Sequence, residues 1–350
     1  MTLDAKPRLV LAGGCGSSGT TLLAHLLGRH PKIVAAPEFD VFNHPEALSL
    51  GTLRDSVDAL FERRRLSRGY KLVVGFFTPG DVVGVDRATV KRWLADARSL
   101  EEFYAKVAEH MCAPRGAVCF VEKTPTNVYN FEALSRLMPE LPLVHQIRDG
   151  RDVAGSLVRR GKTLFYAGSR WLYDTVSGLR ARGRASYLET RYEDLVSDPA
   201  SALRGLLAHL GIEYDERMLE PSRESSASTY EEKWRDKRSA QRWKSTPGDA
   251  ISAASVGNFR RDLTAEQLST LYRIRLTARV VEELQSPVHT FAELLEHLGY
   301  DRGAATVAPV SPALRLREIR AELADHAYRL RRSLRYSHRI PDFVTTVGRR

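Results

Sequence analysis

Residues 14–21 read Gly14-Cys15-Gly16-Ser17-Ser18-Gly19-Thr20-Thr21, and no other stretch limits the fold as strongly. Apolar residues 8–12 (RLVLA) precede this stretch and spell a short buried strand. Residues 20–29 (TTLLAHLLGR) follow, with Leu22, Leu23, Leu26 and Leu27 at helical spacing. The chain therefore opens strand, glycine-rich loop, helix, the first unit of an α/β fold. The loop keeps the G-x-x-x-x-G-x-[ST] frame of a phosphate loop, with Thr20 in the place of the lysine. Glycines let the backbone curl so that N–H groups point inward, and the helix N-terminus adds about half a positive charge. The hydroxyls of Ser17, Ser18, Thr20 and Thr21 add donors. Such a loop holds a phosphate, but the missing lysine and the lack of a Walker-B aspartate argue against an NTPase.

Three further strands are expected at 118–121 (VCFV), 143–147 (LVHQI) and 185–190, each running into a polar cluster. The clusters are Glu122-Lys123-Thr124-Pro125, Arg148-Asp149-Gly150-Arg151-Asp152 and Arg191-Tyr192-Glu193-Asp194-Leu195. Helices are expected at 46–70, 86–112, 153–160, 199–210, 264–284 and 290–298, with Gly211 ending the fourth. Four strands alternating with helices predict an α/β fold: a P-loop-like parallel sheet flanked by helices, with ligands at the carboxyl ends of the strands. The expected layout is one domain over 1–300, with a helical cap at about 46–112 and a polar lid at 221–262. A linker and a basic amphipathic helix occupy 301–350, with Leu316, Ile319, Leu323, Ala327, Leu330 and Leu334 as its apolar stripe. The terminal residues 345–350 are expected to fray.

A chain of 350 residues, 43% of them hydrophobic, can bury the core of one large domain. No run approaches the ~20 apolar residues that span a bilayer. The short polar start does not read as a secretory signal. Cys15, Cys112 and Cys119 show no metal-ligand spacing and read as reduced thiols, so a cytoplasmic location is expected. A net charge of +10 suits anionic ligands without choosing among them. The basic C-terminal helix either packs its stripe on the domain, the favoured reading, or makes peripheral contact with an anionic membrane. His145 reads as a core histidine, and Trp171, Trp234 and Trp243 as core or lid packing rather than lining of an acceptor pocket.

Arg148 at a strand end and Ser156 near the start of the next helix can converge on one phosphate, the arginine through its planar fork of donors. These two motifs, together with residues 191–195, resemble the PAPS-dependent sulfotransferase superfamily over roughly residues 8–265. The resemblance implies that Gly16, Ser17, Ser18, Gly19, Thr20 and Thr21 hold the 5′-phosphosulfate of 3′-phosphoadenylyl sulfate (PAPS). It implies that Arg148 and Ser156 hold the 3′-phosphate and that Tyr192 lies near the adenine. Gly257-Asn258-Phe259-Arg260-Arg261-Asp262-Leu263 resembles a late block of bacterial members whose basic residues close over the nucleotide.

Ser18-Gly19-Thr20-Thr21-Leu22, then His30-Pro31, then Glu38, is similar to the tyrosylprotein sulfotransferases and their bacterial relatives. That likeness implies Glu38 as catalytic base, with nearby His44 as the rival, and Lys123 as the contact to the transferring sulfuryl group. The chain departs from the branch at Ser17, where an arginine is usual. No metal and no nucleic acid is an expected partner, since sulfate carries less charge than phosphate and needs a cation less. The competing functions are a P-loop small-molecule kinase and a non-catalytic nucleotide-binding adaptor; Thr20 counts against the first, and filled positions 38 and 123 against the second. The chain has ten lysines against 43 arginines, a bias of GC-rich bacterial genomes. It favours a small-molecule metabolite, glycan or lipid acceptor over a secreted peptide.

Overall fold

The computed structural model describes residues 7–36, 41–43, 45–62, 85–220, 224–227, 251–302, 309, 311–316, 319–320 and 347–348. These divide into two compact units. The first comprises residues 1–14, 19–146 and 181–252, and the second residues 15–18, 147–180 and 253–350.

The first unit holds a five-stranded parallel sheet in the order β2-β3-β1-β4-β5. Its strands are β1 (Arg8–Gly13), β2 (Ile33–Ala36), β3 (Cys119–Lys123), β4 (Leu143–Ile147) and β5 (Tyr187–Arg191). Both faces are covered, which explains why the strands read as apolar runs rather than as alternating patterns. Leu9, Leu11, Phe120 and Leu143 point to one core, beside Phe103, Met111 and Phe131, the last opening helix α5 (Phe131–Leu137). Val10, Ala12, Cys119, Val121 and Val144 point to the other, beside Leu23, Leu26 and Leu27 of helix α1 (Thr20–Gly28). By this two-residue period Lys123 stands on the α1 face of the sheet and Glu122 on the opposite face.

Three expectations about elements change. A fifth strand, β2, escaped the sequence because it is four residues long, wholly buried and set between Pro31 and Pro37. Within the helix expected at 46–70 stands α2 (Leu50–Glu62), and the helix expected at 86–112 is two, α3 (Arg87–Asp96) and α4 (Leu100–Cys112). Ser99 accepts from the Glu102 amide and starts α4 afresh. The helix expected at 264–284 is likewise split, into Ala265–Tyr272 and Ala278–Leu284. Between them Arg275 and Leu276 pair antiparallel with Gly348 and Val347, so these two of the terminal residues expected to fray are paired instead.

The second unit is built on α6 (Gly150–Arg159) and α7 (Leu164–Leu179), the latter unread in the sequence because nearly all of it is buried. Trp171 is fully buried, packs at a tilt against Phe291 with ring centroids 4.5 Å apart, and donates its indole N–H to the Arg148 carbonyl at 3.0 Å. A Cβ on Gly150 would lie 2.5 Å from the Trp171 ring, so only glycine fits there. Trp171 is thus core, and it braces the backbone from which Arg148 projects. Of the C-terminal helix, Leu314 is buried while Leu316 and Ile319 are exposed, so these two members of the apolar stripe do not pack on the domain as favoured. The rest of that stripe, Trp234 and Trp243 lie outside the described residues. Among the described residues no helix is long and apolar enough to cross a membrane.

Candidate active site

In the first unit the site residues stand at the carboxyl ends of strands. Helix α1 begins at Thr20 behind Gly19, with no side chain capping its first turn and no acidic residue in it. Its leading amides and dipole are therefore available to an anion. Gly19 has φ +88, and a Cβ there would lie 2.4 Å from the ring of Tyr192, which opens helix α8 (Tyr192–Ser197). The last glycine of the loop is demanded by both backbone conformation and close approach. A Cβ at Gly14 would lie 2.3 Å from the Gln146 carbonyl oxygen.

Lys123 ends β3 in register with Ala12, buried to 3% exposure. The turn after it is organised by Glu122, whose carboxylate accepts from Thr124 Oγ1 and from Asn127 Nδ2 at 2.6 Å. Asn127 Nδ2 also donates to the Ala12 carbonyl at 3.1 Å, and the Gly14 amide donates to the Pro125 carbonyl at 2.9 Å. These bonds tie the β3 turn to the entry of the glycine loop. Glu122 thus serves the turn, a use that its adjacency to Lys123 did not suggest.

His145 is fully buried, with Nδ1 2.8 Å from the Tyr187 hydroxyl. Burial lowers its pKa to about 4, against the opposing pull of Glu189, so it stays neutral near pH 7 and serves the core.

In the second unit residues 15–18 of the loop meet α6. Ser17 has φ 76, left-handed backbone that a serine adopts at a cost. Two guanidiniums hold it there. Arg148 Nη1 donates to the Ser17 carbonyl at 3.1 Å, and Arg160 Nη1 donates to the Ser17 hydroxyl at 3.2 Å. The arginine that the resemblance expected at position 17 is absent, and Arg160 returns a cation to the same turn. Desolvation and neighbouring Arg159 lower the Arg160 pKa, yet an arginine remains charged. Beside Ser17, Ser18 Oγ is buried without a hydrogen-bond partner, and the space where Gly16 would carry a Cβ is empty. An anion on this turn would give Ser18 Oγ an acceptor.

Asp152, Ser156 and Arg160 follow one another at intervals of four along α6 and its C-cap, and Arg148 stands four residues before Asp152, just ahead of the N-cap Asp149. The spacing was legible, but only Arg148 and Ser156 were read from it. Arg148 Nη2 donates to the Ser255 carbonyl at 2.6 Å, and Asp152 accepts from the amides of Gly257 and Phe259. The guanidiniums of Arg151 and Arg260 lie over the Phe259 ring, at 4.1 and 4.8 Å from its centroid. The 148–152 run also contains the internal ion pair of such a turn, Arg151 with Asp149 at 2.7 Å. Arg148 thus reaches Ser255 just before the late block, and Asp152, which sequence reasoning missed, holds the block itself.

Cys15 is also explained. Its thiol is buried, and burial together with the Asp174 carboxylate that accepts its hydrogen raises its pKa well above the usual value. Burial pushes Cys112 and Cys119 up to about 12. We expect no thiol of the native protein to react with a disulfide reagent within minutes at pH 8, and all three to react after unfolding. Rapid labelling of Cys15 in the native protein would refute this assignment.

Glu38 and His44 lie outside the described residues. So does most of the expected lid; of its inner part, Ser225 and Ser226 are described and buried, with Ser226 Oγ donating to the Gly28 carbonyl and accepting from the Ala35 amide. That short stretch belongs to the first unit's core and not to a mobile segment. Among the described residues no three His, Cys, Asp or Glu side chains are grouped to hold a metal ion.

The first unit carries a parallel sheet and an uncapped helix start with Thr20 in the place of the phosphate-loop lysine, and the second carries the arginines that hold Ser17. Residues 9–216 match the model of the Sulfotransferase family, more than half of the chain. The chain belongs to that family and is a sulfuryl-transferring enzyme. It is 27% identical over 332 residues to the nodulation protein NoeE of Sinorhizobium fredii, covering 86% of this chain and 68% of that protein. It is 25% identical over 224 residues to protein-tyrosine sulfotransferase 2 of Gallus gallus, covering 60% of this chain and 53% of that one. Among solved structures it is similar to the sulfotransferase domain of the Synechococcus PCC 7002 olefin synthase. The TM-score is 0.43 at 19% identity, covering 73% of this chain and 94% of the domain.

Proposed function

We propose that the protein transfers the sulfuryl group of PAPS to a hydroxyl of a small-molecule metabolite, glycan or lipid, releasing adenosine 3′,5′-bisphosphate (PAP). The observation that supports PAPS is the pair of guanidiniums on the Ser17 turn, beside the orphaned Ser18 hydroxyl. Cations at this turn suit a donor with both a phosphosulfate and a ribose phosphate.

In this scheme residues 16–21 hold the phosphosulfate, and Arg148 and Ser156 hold the 3′-phosphate. Tyr192 borders the adenine, and residues 257–260 close over the nucleotide. The acceptor oxygen attacks sulfur in line, the bond from sulfur to the 5′-phosphate oxygen breaks, and Glu38 takes the acceptor proton. Lys123 meets the sulfuryl oxygens as charge develops on them.

Calorimetry with PAP, 5′-AMP and ATP tests the donor. A charge-assisted phosphate contact supplies ~1.5–3 kcal/mol, so PAP should bind about 10- to 100-fold more tightly than 5′-AMP. Equal affinities would remove the role of Arg148 and the PAPS assignment with it. An acceptor screen with radiolabelled PAPS against metabolite, glycan and lipid extracts then tests the acceptor; labelling of peptide tyrosine alone would refute the proposed acceptor class.

A further inference from the structure

Asp152 is 3% exposed, in the first turn of α6, and its two oxygens are used separately. Oδ2 accepts from the Gly257 amide and Oδ1 from the Phe259 amide, both at 2.8 Å. Oδ2 also lies 3.8 Å from Nη2 of Arg148, and that same nitrogen donates to the Ser255 carbonyl. The 255–260 turn is therefore fastened to α6 by one carboxylate and one guanidinium that touch each other. Its geometry leaves little slack. Gly257 has φ +72, left-handed backbone that favours glycine. Phe259, two residues on, carries the guanidiniums of Arg151 and Arg260 over its ring.

We propose that Asp152 is a positioning residue that couples the donor's 3′-phosphate to the 255–260 turn. The coupling rests on PAPS being the donor. A phosphate arriving at Arg148 competes with the Ser255 carbonyl and Asp152 for one guanidinium. Asp152 keeps the turn in place through its two backbone amides while Arg148 changes partner. Without it, the phosphate would draw Arg148 off Ser255 and release the turn that should close over the nucleotide. The carboxylate's own charge opposes the phosphate, but Arg148 and two N–H dipoles already offset it, so the lost turn outweighs the lost repulsion.

Asp152→Asn keeps the shape, removes the charge and leaves one oxygen for two amides. PAP affinity should fall about tenfold, while 5′-AMP, which brings no 3′-phosphate, should change by less than about threefold. Unchanged PAP affinity, or equal loss for both nucleotides, would overturn the coupling. Hydrogen exchange on the wild-type protein gives a second arm that needs no variant. PAP should slow exchange across residues 255–260 by about tenfold more than saturating 5′-AMP does. Equal slowing by the two would overturn it. A wild-type protein that does not prefer PAP would refute the donor itself, whereas a normal preference with an unaffected variant refutes only Asp152.

Discussion

Lys123→Ala should lower turnover by ~10²–10³-fold while PAP affinity stays within about threefold. Lys123 ends β3 in register with Ala12, on the face of the sheet that α1 covers, almost fully buried. The Glu122–Asn127–Ala12 bonds fix the turn that follows it, so its backbone does not wander. A fixed cation meeting charge that grows only in the transition state acts on the rate and little on the binding of product nucleotide. Steady-state kinetics and PAP calorimetry on one preparation read both effects, and thermal melting checks that the fold survives. Lys123→Met, with its similar length and no charge, should behave as the alanine variant does. Wild-type turnover in either would remove Lys123 from the chemistry.

Arg148→Ala should show the opposite pattern, a loss of PAP affinity of about 100-fold or more, with turnover at saturating PAPS changed less. Arg148 carries the expected contact to the 3′-phosphate, and it also joins Ser17 to Ser255 through separate nitrogens. Its removal therefore takes away a ligand and slackens two segments together, so the effect should exceed that of Asp152→Asn. Lysine should rescue little, because a single ammonium cannot reproduce a planar fork that reaches two carbonyls at once. Affinity restored by Arg148→Lys would mean that charge alone matters and that the fork does not.

Much of the frame was legible because buried parallel strands and a glycine loop leave strong local marks. β1, β3, β4, α1 and the phosphate loop lie within a residue or two of their expected places. What escaped was decided by tertiary contact. β2 is too short to show a period, and α7 buries Gly168, Ser169, Asp174, Thr175 and Ser177 along with its apolar residues, so its polar positions hid it. The split of 86–112 was written in Ser99-x-x-Glu102, a helix-start signature that the surrounding helical residues masked. Among site residues, Arg148 and Ser156 were readable as donors near a strand end. Arg160 and Asp152 were not, because a guanidinium at a helix end and a carboxylate in an R-D-x-R-D run are most often solvated. Only the approach of Ser17 and of Gly257 gives them work.

The grip on Ser17 has a consequence for biosynthesis. Its two holding arginines lie 131 and 143 residues further along the chain. While a ribosome is still making the first hundred residues, the glycine loop has emerged but nothing exists to hold its serine in a left-handed conformation. The loop therefore cannot reach this arrangement by local folding; it waits for α6, and for the long-range closure that brings distant segments together. Strand β1 and helix α1 can form early, yet the hinge between them is finished late. A nascent chain that stops before Arg148 leaves the tunnel carries the whole phosphate-loop signature and lacks both cations that set its shape.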